Sequence, residues 1–193
     1  MSTQKKLIDS ARHLIQTRGY NGFSYADVAE EVQVRKASIH HHFPAKSDLA
    51  HAVVEESRAF FVAQAERLAR EDFDPEEQLR FYTGYWEKCI ADDSAPFCVA
   101  GMLASELPTL PAPLADSVRA HFRDLSNWLE IILTKGAQKG CFELRGSARQ
   151  EAEAFMAIVY GAMLAARAYG EPKVFADIAA TGLGRLMPAR KAR

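Results

Sequence analysis

The sequence predicts an all-α chain of about nine helices. Apolar residues recur at i, i+3/i+4 and i+7 through nearly every long segment, and helix-start and helix-stop residues punctuate those segments. No segment alternates apolar and polar residues as a half-buried strand would. The chain has 193 residues, 48% hydrophobic and 25% charged, a composition that supports a buried core and argues against wholesale disorder.

Leu7, Ile8, Ala11, Leu14 and Ile15 line one face of a first helix that stops before Gly19, a residue suited to a left-handed cap. Asn21-Gly22 marks a turn, and Ser24 can cap a short second helix carrying Val28, Ala29 and Val32. A third short helix covers about Arg35 to His41 and ends at Phe43-Pro44, because a residue before proline is pushed out of the α region. A fourth runs from near Lys46 to near Arg70, with Leu49, Val53, Phe60 and Leu68 spaced for an inner face.

Asp74-Pro75-Glu76-Glu77 starts a fifth helix that reaches about Ala91, with an acidic N-cap, proline at the first position and acids in the first turn. After a loop over Asp92 to Pro96, a shorter helix spans about Phe97 to Leu107. Pro108, Pro111 and Pro113 form a stiff connector, with Pro113 suited to the first turn of a long helix that stops by Gly140. Ser147 caps another helix to about Tyr169, and Pro172 starts the last, which carries Val174, Ile178, Leu183 and Leu186. The tail from Pro188 to Arg193 is basic and expected to be disordered.

Net charge is −1, which alone points to no polyanionic partner, but its distribution does. Residues 1–50 hold seven Lys/Arg against five acids, a balance of +2, so the remainder carries −3. Four of the six histidines also fall in residues 1–50. Three widely spaced cysteines indicate neither a disulfide framework nor a zinc site. There is no signal-peptide pattern and no apolar run of membrane-spanning length, so a soluble, cytoplasmic protein with no membrane partner is expected. No catalytic triad pattern, phosphate loop or metal box is visible, so the chain is not read as an enzyme and no cofactor is expected.

The informative stretch is Ser24 to Phe43. Two short helices joined by a tight turn make a helix-turn-helix, whose second helix can lie in a major groove. Ala29 is small where the helices must cross, and Val34 and Ile39 are apolar anchors. Arg35, Lys36, Ser38, His40 and His41 remain as polar groups able to face DNA. Three consecutive histidines do not make a metal site, since adjacent helical residues point about 100° apart and cannot converge on one ion. The alternative to DNA contact is a solvated polar face with one histidine packed inward.

The segments Phe23-Ser24-Tyr25-Ala26-Asp27-Val28-Ala29 and Val34-Arg35-Lys36-Ala37-Ser38-Ile39-His40-His41-His42-Phe43-Pro44-Ala45-Lys46-Ser47-Asp48-Leu49 resemble the N-terminal domain of TetR-type transcriptional regulators. The resemblance covers about residues 5–55. It implies a helix-turn-helix DNA-binding domain over 1–50 and a helical ligand-binding and dimerisation domain over 51–193. It also implies a repressor released from a pseudo-palindromic operator by a small molecule. By position, it makes Lys36, Ala37 and His40 the residues for base edges, and Ser24, Tyr25, Arg35, Ser38, His41, His42 and Lys46 those for phosphates. Three departures stand out: Gln33 where the family usually has glycine, His40-His41 where it has tyrosines, and Arg35 where a small hydroxyl residue is common. Imidazoles titrate near neutrality, so affinity is expected to rise as pH falls.

In the body, Trp86, Phe97, Met102, Trp128, Phe155 and Tyr160 are either plain core or in part the lining of a ligand cavity that also takes in Cys89, and Glu106 and His121 are either its polar partners or surface or structural residues. Cys98 is either a buried, inert thiol or the centre of a redox- or electrophile-sensing variant of the same function; a DNA-binding regulator with no small-molecule effector is a further alternative. The last two helices carry many small residues (Ala162, Ala165, Ala166, Ala179, Ala180, Gly182, Gly184), suited to a homodimer interface or to packing within one chain.

Overall fold

Short-range chemistry sets where each helix begins and ends. A computed structural model describes residues 1–188 and shows, among them, nine α-helices and no strand. They are α1 Thr3–Arg18, α2 Tyr25–Val32, α3 Lys36–His42, α4 Lys46–Arg70, α5 Pro75–Ala91, α6 Val99–Ser105, α7 Ala112–Gln138, α8 Ala148–Tyr169 and α9 Pro172–Gly184. A single 3-10 turn, Leu107–Thr109, follows α6.

Ser2 Oγ accepts the Lys5 N–H at 3.2 Å to start α1. Glu77 reaches back to the Asp74 N–H at 3.0 Å at the start of α5, and Ser147 and Gln150 bond reciprocally at the start of α8. Gly19 closes α1 with φ +75°; a Cβ there would also lie 2.7 Å from Glu106 Oε2, so glycine serves both conformation and close approach.

The chain divides into two compact units. One comprises residues 1–62 and 97–122. Its core gathers Leu7, Leu14, Ile15, Val28, Ile39, Phe43, Leu49, Val53, Leu103, Leu114 and Val118, all buried. Burying each such side chain contributes roughly 1.5–3 kcal/mol relative to exposure. Polar bonds fasten the helices: the buried Gln16 amide donates to the Phe97 carbonyl at 2.8 Å, and Arg12 bridges to Glu56. The other unit comprises residues 63–96 and the chain from 123. There Leu79, Leu129, Phe155, Val159, Met163 and Phe175 are buried, and α8 packs on α9. Gly182 permits that approach, since a Cβ would sit 2.8 Å from Ile158 Cγ2.

Three expectations are corrected. Phe60 is 49% exposed, and Phe61 turns further inward; the seven-residue step from Val53 to Phe60 drifts only about 20° from two full turns, so packing rather than period decides between the two rings. The helix expected over Phe97 to Leu107 is only Val99–Ser105. Pro108 has no N–H to continue the ladder onto Ala104, and the Thr109 N–H takes the Glu106 carbonyl at 2.9 Å in a tighter turn. Leu186, expected within the last helix, is buried but lies beyond its end at Gly184. Of the expected disordered tail, Pro188 is exposed and residues 189–193 lie outside the described residues.

Candidate nucleic-acid interface

The exposed candidates converge on two short helices held by bonds within the first unit. Ser24 caps α2: its hydroxyl accepts the Ala26 N–H at 3.1 Å and donates to Asp27 Oδ2 at 2.7 Å, while Asp27 takes the Ser24 N–H at 2.8 Å. These bonds from the Ser24 hydroxyl and backbone hold the half-buried Asp27 carboxyl below its usual range. Ala29 is half-buried at the crossing, and its carbonyl takes the Val34 N–H at 3.0 Å.

Gln33 makes the turn with φ 58° and ψ 47°, left-handed backbone that an L side chain adopts at a cost of about 1–2 kcal/mol. Its side chain is exposed, and its own N–H makes the cap bonds to the Ala29 and Glu30 carbonyls. Gln33→Gly is therefore expected to raise stability by about 0.5–1 kcal/mol, the gain being trimmed by glycine's greater unfolded-state freedom. A denaturant midpoint that falls in this variant contradicts the assignment of strain to the turn.

Arg35 is the extended N-cap of α3. Ile39 is fully buried and pins the helix, with Phe43 buried at its end. This leaves Arg35, Lys36, Ala37, His40, His41 and His42 exposed, with Ser38 half-buried. Lys36, Ala37 and His40 share one face through i, i+3 and i+4 spacing. Tyr25 donates its hydroxyl hydrogen to the Phe43 carbonyl at 2.8 Å and meets the His40 ring edge-on at 4.9 Å between centroids. Burial, with help from the Asp48 charge, pushes the Tyr25 hydroxyl up to about 12, so it remains a donor at neutral pH.

Lys46 is placed differently from that exposed set. Its ammonium donates to the carbonyls of Tyr20 at 2.8 Å and Phe23 at 2.9 Å and lies 4.2 Å from the Tyr20 ring centre. Burial lowers its pKa, opposed by the charges of Glu106 and Asp27. Two of its three N–H groups are thus committed to the α1–α2 turn. Glu106 grips the same turn from the opposite chemical side. Its carboxylate accepts the Tyr20 N–H at 2.6 Å, the Asn21 N–H at 3.0 Å and the Asn21 side-chain amide at 2.9 Å. The structure therefore puts Glu106, read from the sequence as a ligand-lining candidate, onto the turn that precedes α2. With Gln16 bonded to Phe97, polar contacts tie both flanks of α6 to the end of α1 and its turn. Sequence reading missed this clamp because its partners lie 85 and 86 residues apart and no local pattern links them.

The remaining ligand candidates divide between the units. Cys98, Met102 and His121 lie in the first, where Cys98 Sγ and His121 Nε2 are 3.8 Å apart and both residues are buried. Trp86, Cys89, Trp128, Phe155 and Tyr160 lie in the second. Trp128 meets Tyr82 edge-on at 5.7 Å, Trp86 meets Tyr85 at 5.1 Å, and Cys89 and Phe155 are buried. Among the described residues no cluster of His, Cys, Asp and Glu could hold a metal ion, and no helix is long and apolar enough to cross a membrane.

Two family models match the chain. Residues 7–53 match the bacterial regulatory proteins of the tetR family, and residues 75–181 match the tetracyclin repressor-like C-terminal domain. The chain belongs to the TetR family. With that membership comes its function as a ligand-responsive, DNA-binding transcriptional repressor. A TetR-family transcriptional regulator from Agrobacterium tumefaciens is 49% identical, with a TM-score of 0.92 over 96% of this chain and 97% of that one. The transcriptional repressor NemR of Escherichia coli K12 is 22% identical over 86% of this chain and 84% of its own length. IcaR of Staphylococcus epidermidis, a negative transcriptional regulator of a biofilm operon, is 24% identical over 67% of this chain and 66% of its own. As a TetR-family member, the chain uses α2 and α3 as its helix-turn-helix, and the family resemblance drawn from residues 23–49 holds.

Proposed function

We propose that this regulator is a cytoplasmic homodimer whose two copies of α3 enter successive major grooves of a pseudo-palindromic operator, and that a small molecule held by the helical body releases it. Residues 1–50 supply the DNA reader, and residues 51–193 supply sensing and dimerisation. The observation that carries the reading is α3 itself: Ile39 anchors one side while Lys36, Ala37 and His40 stand exposed on another. A major groove about 12 Å wide admits a helix carrying such a face. Lysine donates to guanine acceptors, and the Ala37 methyl suits a thymine methyl. Arg35, Ser38, His41 and His42 flank that face and serve the phosphates, whereas Ser24 and Tyr25 donate their hydroxyl hydrogens to Asp27 and the Phe43 carbonyl and reach a phosphate only on releasing those bonds. Lys46 joins them through its third N–H, beside its part in holding the turn.

Of the small residues read from the sequence, Ala162, Ala166, Ala179 and Gly182 are buried within the chain, so dimerisation through the last two helices is supported instead by what α8 leaves uncovered. Ala154, Ala157, Gly161, Leu164 and Ala168 are exposed along one stripe, Leu164 at 60%. Small residues with one large apolar side chain permit close helix contact between two copies. Sedimentation of the native chain at micromolar concentration is expected to show a dimer. Leu164→Glu, which places a charge in that contact, is expected to weaken self-association at least about tenfold. A monomeric native chain, or a variant that dimerises equally well, overturns this arrangement. The thiol-sensing variant is the less favoured reading: His121 Nε2 lies 3.8 Å from Cys98 Sγ, but Cys98 is only 4% exposed, and sensor thiols are partly exposed.

A further inference from the structure

His40 carries a constraint that the other exposed residues of α3 do not. Its Nδ1 lies 3.2 Å from the Pro44 carbonyl oxygen. Its ring is braced edge-on by Tyr25, which is itself fixed by its bond to the Phe43 carbonyl. A carbonyl oxygen can only accept, so this contact requires hydrogen on Nδ1. In the neutral imidazole the other nitrogen, Nε2, is then bare and can only accept. In the charged imidazolium Nε2 also carries hydrogen and can only donate. One proton therefore reverses the hydrogen-bonding sense of the atom left for a partner.

The neighbouring groups do not share this behaviour. Lys36, one turn earlier on α3, is a donor in its charged form, and Ala37 is apolar. The titratable groups on the elements around this end of α3 are Tyr25 on α2, Lys46 and Asp48 on α4, and His41 and His42 on α3 itself. Tyr25 stays neutral across the histidine range. The rings of His41 and His42 meet each other edge-on at 5.5 Å.

Resting on the reading that α3 lies in the major groove, we propose that His40 is a proton-switched specificity residue. Neutral His40 accepts from the amino group of cytosine or adenine; charged His40 donates to O6 or N7 of guanine. Protonation of His41 and His42 strengthens phosphate contacts and so acts on all duplexes alike. The ratio of affinities for two duplexes cancels that uniform gain and isolates His40.

The test begins with an operator selected by the native chain from randomised duplex DNA at about pH 8, above the histidine range. Each base pair of a half-site is replaced in turn by each of the other three, and affinities are compared at about pH 8 and about pH 6. At one position per half-site, the preference for cytosine over guanine is expected to shift toward guanine by about fivefold or more as pH falls. The shift is expected to vanish in His40→Gln, which keeps an amide able to bond a base but does not titrate, and to persist in His41→Gln. The proposal is overturned if no position shifts, or if the shift survives in His40→Gln. A native chain that enriches no sequence at all removes the major-groove reading and this inference together; a sequence preference without a pH shift removes this inference alone.

Discussion

Replacing Glu106 by alanine is expected to destabilise the first unit by about 2–3 kcal/mol and to weaken operator binding at least about tenfold. The carboxylate accepts the backbone N–H groups of Tyr20 and Asn21, and its loss strands both donors on a turn that packing partly covers. An unsatisfied buried donor costs about 1–3 kcal/mol, with the exposed side of this turn keeping the sum toward the low end. The effect also reaches Lys46, whose burial is opposed by the Glu106 charge. With the turn loosened, α2 begins from a poorly defined place, and α3 loses the support that aims its exposed face. Glu106→Gln keeps one acceptor oxygen and should lose less than half as much stability. Asp116→Ala, at an exposed carboxylate on α7, serves as the control and should change neither reading. Thermal melts and operator affinities check this directly. A Glu106→Ala variant that melts and binds as the native chain does would show that the clamp carries no weight.

The second large effect is expected at Lys36. Alanine there removes a donor from the first turn of α3 without touching the core, since Lys36 is exposed. Stability should stay within about 0.5 kcal/mol of native. The preference for the selected operator over a scrambled duplex should fall at least about tenfold, because a base-edge contact contributes about 1–3 kcal/mol of discrimination. Lys46→Ala should behave differently: it removes the donor shared by the Tyr20 and Phe23 carbonyls, so its melting temperature should drop along with its affinity for all duplexes. Equal specificity ratios for native and Lys36→Ala chains contradict the assignment of Lys36 to a base edge.

What the sequence made legible was mostly local. Ser24, Asp74 with Pro75, Ser147 and Pro172 mark helix starts through bonds or ring constraints that act within a few residues, and the structure places helix starts at each. The turn at Gln33 was legible too, because left-handed backbone is demanded there whatever the residue. Phe60 was misplaced because its spacing from Val53 fits either side of the stripe, and only packing decides that Phe61 turns inward. The site was legible where it is one short helix and illegible where distant segments meet. Nothing near Glu106 in sequence announces that its carboxylate closes on a turn 85 residues earlier. Nothing near Lys46 shows its ammonium folding back onto carbonyls 23 and 26 residues away. His40 falls between these cases: its identity was plain, but the Pro44 carbonyl that selects its tautomer required coordinates.

Dimethyl sulfate footprinting of the selected operator tests the central claim most directly, because this reagent methylates guanine at N7 in the major groove and adenine at N3 in the minor groove. With native chain bound, guanine N7 should be protected in two patches related by two-fold symmetry. Their centres should lie one helical turn apart, about 10–10.5 base pairs, or a whole multiple of that spacing. Protection confined to adenine N3, or a single unpaired patch, would contradict a pair of α3 helices lying in successive major grooves.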